Sequence, residues 1–221
     1  DAGYRFSGSW TWGEKIAWSG TTGAIAMSAA IVQHHEGLFR SAGHRVNILG
    51  DAFQEIGIGQ SSGQFLSNGT NWNASMLTQN FAKSGTAIFV TGVAYNDTDA
   101  DRFYDIGEGV ANVAVSASGM SDTTGTGGGY ELGLANGTHT VALGAMTVQV
   151  TLAGRNIKLD AVNSTTLQSS SSVTLVAGVS TARLIGTEAA GLQGSTAAEQ
   201  LGGNDAANVV NGGGGSDSIW G

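Results

Sequence analysis

Five carboxylates and one aromatic residue fall at metal-ligand spacing in a single short stretch. Asp97, Asp99, Asp101, Phe103, Asp105 and Glu108 stand at positions 1, 3, 5, 7, 9 and 12 of a twelve-residue loop. A hard dication such as Ca2+ takes six to eight oxygens. Alternate residues of a tightly wound loop aim carboxylates at one point, the Phe103 carbonyl fills the seventh position, and Glu108 closes the shell with two oxygens. The competing reading is an acidic, solvated turn. Five carboxylates in register favour calcium.

A weaker signal of the same kind lies near the C-terminus. Gly212, Gly213, Gly215, Asp217 and Ile219 match the nonapeptide G-G-x-G-x-D-x-U-x. The glycines let the chain turn with its carbonyls inward, Asp217 supplies a carboxylate, and Ile219 packs on the coil axis. Leu201 and Val210 occupy comparable places in degenerate preceding turns. A single turn cannot bury its own face, so the start of a longer roll is expected. The other reading is a flexible Gly-rich tail.

Composition narrows the partners. The 221 residues include 36 Gly, no Pro and no Cys, with 12% charged residues and a net charge of −8. Gly, Ser and Thr richness with scattered Val, Ile and Leu suggests many short strands and turns. The acidic balance argues against nucleic acid and anionic membrane, and suits cations. No disulfide can form. No run of eighteen apolar residues exists, so no transmembrane segment is expected. The chain opens without an initiator methionine or signal peptide and stops at Trp220-Gly221 inside a repeat, which reads as a fragment or processed product.

The elements that would hold these groups fall into four stretches. In residues 1–85, Thr21 or Thr22 is expected to cap a helix running to about Phe39, with Ile25, Val32 and Phe39 on one stripe and Ile31, His35 and Leu38 beside it. EIGIG and LTQNFA read as strands. Residues 86–153 read as a β-sandwich with the calcium loop between the strands AIFVTGVAY and VANVAVSA. GGGYELGL, THTVALG and MTVQVTLA continue it. Residues 154–178 read as a Ser/Thr-rich linker or weak strands, and residues 179–221 as the start of the roll.

The loop has the spacing of an EF-hand, except that Arg102 stands at position 6, where the EF-hand has Gly, and strands rather than helices flank it. Residues 1–85 resemble the bacterial CAP (SCP-like) domain through GEKIAWSG, HHEGLFRSAGHRVNILG, FQEIGIG and TQNFA, with Lys15 in place of the family's Asn. The resemblance covers only the later part of that domain and lacks its N-terminal helices. It implies an α-β-α sandwich whose cleft includes Glu14, Glu36, His35 and His44, able to hold Zn2+ or to act as acid and base. Structural packing of the same residues is the alternative. Residues 86–153 resemble Cna-B-like surface modules, and the tail resembles the RTX, or haemolysin-type, calcium-binding β-roll.

Together the resemblances imply an α+β chain: a partial CAP-like α-β-α sandwich, an all-β sandwich and a β-roll or β-helix-like tail. They imply a bacterial protein, extracellular or at the cell surface, exported by type I secretion. Its expected role is calcium-dependent binding or adhesion to an extracellular protein or glycan, or self-assembly, including pairing with a polypeptide that carries the missing helices. A secreted metal-dependent hydrolase using the CAP cleft is the second expectation. Catalysis has little behind it, because no HExxH helix, G-x-S-x-G elbow or Cys nucleophile is present.

Overall fold

The computed structural model describes residues 4–221. The chain divides into two compact units, Asp1–Thr86 and Ala87–Gly221. Among the described residues there are seventeen strands and two helices.

The first unit contains β1 (Trp10–Thr21), α1 (Met27–Arg40), α2 (Ala42–Ile48), β2 (Glu55–Ser67) and β3 (Thr70–Ser84). Its three strands form an antiparallel sheet in the order β1-β3-β2. Asn68 and Gly69, both at positive φ (50° and 77°), make the tight β2–β3 turn, where the left-handed backbone matches the strand twist. One sheet face, carrying Ser19, Ser75, Leu77, Gln79 and Phe81, packs under the helices. His34 is buried there and shares a 2.9 Å hydrogen bond with Ser19 Oγ.

Helix α1 begins several residues after the expected Thr21 or Thr22 cap. Thr21 is still in β1, and the N-cap is Ala26, with no side-chain hydrogen bond. The buried stripe is Ala30, His34 and Leu38, while Val32 and Phe39 are exposed. The seven-residue spacing of the larger side chains misdirected the sequence reading. The side chains that face the sheet instead recur every four residues, Ala30, His34 and Leu38.

In the second unit the strands run β4 (Ile88–Tyr95), β5 (Ala114–Ala117), β6 (Met120–Thr123), β7 (Gly129–Leu134), β8 (Gly137–Leu143), β9 (Met146–Leu152), β10 (Ile157–Val162), β11 (Thr166–Ser169), β12 (Val173–Ala177), β13 (Thr181–Leu184), β14 (Gly191–Gln193), β15 (Gln200–Gly202), β16 (Val209–Asn211) and β17 (Ser218–Trp220). They form two seven-stranded sheets, β17-β15-β13-β11-β10-β4-β7 and β16-β14-β12-β9-β8-β5-β6. Alternation dictates the inner faces: Val148, Val150 and Leu152 are buried, and Gln149 and Thr151 between them are exposed. One hydrophobic core runs from Ile88 through Leu159 and Leu167 to Leu192 and Leu201. The Ser/Thr-rich stretch 154–178 supplies β10, β11 and β12 to it.

Beyond β12 the antiparallel sandwich becomes a parallel β-solenoid that resembles a β-roll. Leu201 pairs with Ile219 and Leu192 with Val210, so the last coil takes 18 residues and two strands, while Ala182↔Leu201 and Val173↔Leu192 give the coil before it 19. The coils stack closely enough to require glycine. An added Cβ at Gly213 (φ 82°) would lie 2.4 Å from Ser195 O, and at Gly215 (φ 99°) 2.2 Å from Ala197 O.

These findings correct the expected fold class. The chain is predominantly β, not α+β, and no α-β-α sandwich forms. Its two helices lie on a single face of the three-stranded sheet, whereas a sandwich of that type needs a helical layer on both. The CAP-like motifs specify a local strand–helix–strand order, and local order does not supply a second layer. No described helix is long and apolar enough to cross a membrane.

Candidate metal centre

The acidic loop leaves β4 at Tyr95 and is pinned at both ends by backbone hydrogen bonds. Asn96 N donates to Glu108 O (2.9 Å) and Val110 N to Ala94 O (2.8 Å). Asp97 N donates to Asn163 Oδ1 (3.0 Å), which ties the loop to the β10–β11 turn. Asn163 and Ser164 in that turn both have positive φ.

Inside this frame the carboxylates converge in two overlapping groups. One carboxylate oxygen each from Asp97, Asp99 and Glu108 lies within 4.8 Å of the others, and Asp99, Asp101 and Asp105 form a second such group. Glu108 is buried. Its Oε1 accepts from Thr98 N (2.7 Å) and Thr98 Oγ1 (2.8 Å), and its Oε2 accepts from Asp105 N (3.0 Å). Asp97 Oδ2 accepts from Arg102 N (3.1 Å), while Asp97 Oδ1 is buried with no hydrogen-bond partner. A buried anionic oxygen without a donor is costly unless something cationic satisfies it. Phe103 N donates to Asp101 Oδ1 (2.7 Å), and its ring points to solvent.

The field inside the loop splits its acids. The Thr98 and Asp105 amides, then the Thr98 hydroxyl, hold Glu108 below the usual glutamate range. Partial desolvation and the charges of Asp101, Asp99 and Glu108 push Asp105 above the usual aspartate range. Beneath the loop, burial first and then Asp160 and Asp97 raise the Tyr95 phenol to about 12. Its ring meets Tyr104 edge-on at 5.8 Å. All-oxygen, all-anionic donors with an unsatisfied buried oxygen fit a hard cation such as Ca2+ and do not fit a soft one.

Position 6 explains itself in the backbone. Arg102 has φ 70°, the left-handed conformation that glycine adopts without penalty. That conformation aims the Arg102 amide at Asp97. Arg102→Gly is therefore expected to stabilise the protein by about 0.5–1 kcal/mol and to leave calcium affinity intact, as read by urea unfolding and calorimetry. Destabilisation would mean that the arginine side chain contributes more than its backbone strain costs.

The remaining sequence-derived residues fare differently. Asp217 sits at a solenoid turn, where its Oδ1 accepts from Glu199 N (3.0 Å) of the preceding coil. Glu199, which the sequence reading passed over, occupies the equivalent place one coil earlier. It is buried and takes hydrogen bonds from Ser195 N (3.3 Å) and Ser195 Oγ. The 18-residue offset from Asp217 was the signal for it, masked because STAAEQLGG lacks the glycines of its neighbour.

Glu14, Glu36, His35 and His44 are not brought together. Glu14 pairs in register with Asn80 on the sheet face away from the helices. Glu36 is exposed and ion-paired with Arg40. His35 Nδ1 lies 3.0 Å from Gln79 Nε2, and His44 Nδ1 2.8 Å from Ser41 Oγ. Among the described residues, only the two loop groups cluster as candidate metal ligands.

Compared with known proteins, the chain matches no family model, no curated protein and no solved structure. Those comparisons support none of the CAP, Cna-B-like or RTX resemblances. The expected CAP head is set aside on the fold as well, and the solenoid is compatible with a β-roll in architecture.

Proposed function

We propose that the Ala87–Gly221 unit is a calcium-stabilised scaffold of a bacterial protein that works outside the cell or on its surface, in binding or adhesion to a protein or glycan. The observation that carries this reading is the buried, donorless Oδ1 of Asp97, a residue whose carboxylate converges with those of Asp99 and Glu108. Asp97, Asp99, Asp101, Asp105 and Glu108 would hold the ion with their carboxylates, and Phe103 with its carbonyl. Bound Ca2+ would cancel the mutual repulsion of the acids and lock the loop against the β10–β11 turn through Asp97 and Asn163. Millimolar calcium outside cells suits a weak extracellular module, and a ligand at 100 times its Kd adds about 2.7 kcal/mol to the state it binds.

Calorimetric titration paired with melting curves in calcium and in chelator tests this. One calcium per loop is expected, with melting raised by roughly 5–10 °C. No heat and no shift would return the loop to an acidic turn.

The pH dependence carries a sign. Protons compete with calcium for each carboxylate. On acidification Asp105, raised, is neutralised above the ordinary aspartate value, and Glu108, lowered, stays charged to below the ordinary glutamate value. Affinity should thus begin to fall above the ordinary aspartate range and be largely lost by about pH 4. In chelator the two groups act oppositely. Stability from Glu108 is present above the ordinary glutamate value and lost as pH falls through its lowered one. Ionisation of Asp105 costs stability as pH rises through its raised value. A calcium affinity independent of pH between 7 and about 4 would exclude carboxylate ligation.

A further inference from the structure

The outer face of the sheet β16-β14-β12-β9-β8 holds a cleft of about 350 Å³ whose lining, among the described residues, carries no charge. Strand register builds it. Thr140 pairs with Gln149, Gln149 with Thr174, Thr174 with Gln193 and Gln193 with Asn211, so five strands set five uncharged polar side chains in one row. Two residues along each strand lies a second row. There Thr138 pairs with Thr151 and Gly191 with Val209, and Ser172 of the Ser172–Val173 step stands between them. Ser172 and Gly191 make a floor of small residues. Gln149 and Gln193 form the wall beside it, and Val209, 76% exposed, is the apolar patch at its end.

The chemistry of the lining selects a ligand. Amides and hydroxyls both donate and accept, as the hydroxyls of a sugar do. The Gln149 and Thr174 side chains spend none of that capacity within the chain, since neither has a hydrogen-bond partner among the described residues. Ser172 Oγ accepts from Gly191 N (2.9 Å), which leaves its O–H to donate outward. Asn211 Oδ1 accepts from Gly213 N (3.1 Å), which leaves its NH2 group. A chain of net charge −8 repels an anion, and a cation finds no carboxylate in the lining. An apolar ligand would bury the amides and hydroxyls unpaired. An extended peptide pairs with a sheet edge, whereas this cleft lies on a sheet face. An uncharged, polyhydroxylated ligand remains. Strands about 4.8 Å apart set one polar group per step of the row, close to the length of one pyranose unit in an extended glycan. The cleft has room for about two such units.

We propose that this cleft binds an uncharged, extended glycan laid across the strands. Gln149, Thr174 and Gln193 hydrogen-bond its hydroxyls, and Val209 packs against the CH face of a ring. The inference rests on the binding role proposed above for the Ala87–Gly221 unit and gives that role a place and a ligand class.

Calorimetric titration of the full chain in calcium with cellohexaose, β-mannohexaose and N-acetylchitohexaose tests it. At least one is expected to bind with Kd on the order of 100 μM, and a hexauronate of the same length is not. Gly191→Val raises the floor. An added Cβ there lies 3.7 Å from Ser172 Oγ and from Val209 O, which is ordinary contact, so the melting temperature should hold while affinity falls at least tenfold. Gln149→Ala, which removes no hydrogen bond within the chain, should weaken binding similarly. Ser116→Val, exposed on β5 of the same sheet but outside the cleft, should not. Failure of all three glycans to bind at about 5 mM overturns the proposal. Binding that survives both Gly191→Val and Gln149→Ala, or a preference for the hexauronate, overturns it equally. Calcium binding without glycan binding sinks this inference and leaves the calcium-stabilised scaffold standing. Glycan binding without calcium binding does the reverse.

Discussion

Gly92→Ala is expected to remove at least about 3 kcal/mol from the stability of the Ala87–Gly221 unit. An alanine Cβ at this position would lie 1.7 Å from Leu159 O and 2.6 Å from Leu159 C. Both are backbone atoms of the neighbouring strand and cannot swing aside. The approach is close because the β4–β10 ladder is interrupted there. Pairs run Val90↔Ile157 and Thr91↔Lys158, then resume at Ala94↔Ala161. Across the gap, Val93 N donates to Asp160 Oδ1 (2.9 Å), and Tyr130 Oη donates to Leu159 O (2.7 Å). Asp160 is 2% exposed, and its other oxygen is paired with Lys158. Spreading the strands to admit a methyl group would break the Val93 bond and strand a buried carboxylate.

Urea unfolding followed by circular dichroism reads the effect. Gly57→Ala, where a Cβ meets open space, is the matched control and should change little. Because β4 and β10 belong to the sheet that continues through β11, β13, β15 and β17, sandwich and solenoid are expected to unfold together. A loss below about 1 kcal/mol would show that the strands part easily at Gly92.

Glu108→Gln is expected to weaken calcium binding by about 100-fold, because position 12 loses both its charge and one of its two ligand oxygens. The change preserves volume but not chemistry. An amide NH2 must face either the Thr98 donors or the Asp105 N–H, since both carboxylate oxygens already accept from those groups. Melting in chelator should therefore fall by several degrees as well. That separates this variant from Asp99→Asn, whose carboxylate is exposed and accepts only from Asp101 N (3.3 Å), so that its effect should appear mainly in calcium. Glu131→Gln, outside the loop, is the neutral control. Calcium affinity unchanged in Glu108→Gln would remove the buried carboxylate from the site.

Strand character was legible because it is written at short range. MTVQVTL and GYELGL alternate apolar and polar residues, and the structure buries the apolar set of each. The convergence of the Asp97–Glu108 carboxylates was legible for the same reason, since the acids of one loop are sequence neighbours. Glu14, Glu36, His35 and His44 come from different elements, and their grouping rested on a resemblance rather than on local geometry. Glu14 shows the hazard. Its place in β1 was readable from the GEKIAWSG run, but one step of the pleat decides which sheet face it joins.

By itself, then, the sequence determined the positions of most strands, the acidic loop and the repeat of the tail. Each depends on the period of side chains along a few residues. Tertiary structure alone decided that the Ser/Thr-rich stretch holding Leu159 and Leu167 completes a core, that sandwich and solenoid share it, and that Gly92 lies against Leu159. Those outcomes depend on parallel and long-range pairing, whose register no local pattern encodes. Tertiary structure also decided which tryptophans stay exposed. Trp10, Trp12 and Trp18 alternate as a buried face would, and only the arrangement of α1 and α2 on the opposite side leaves them open.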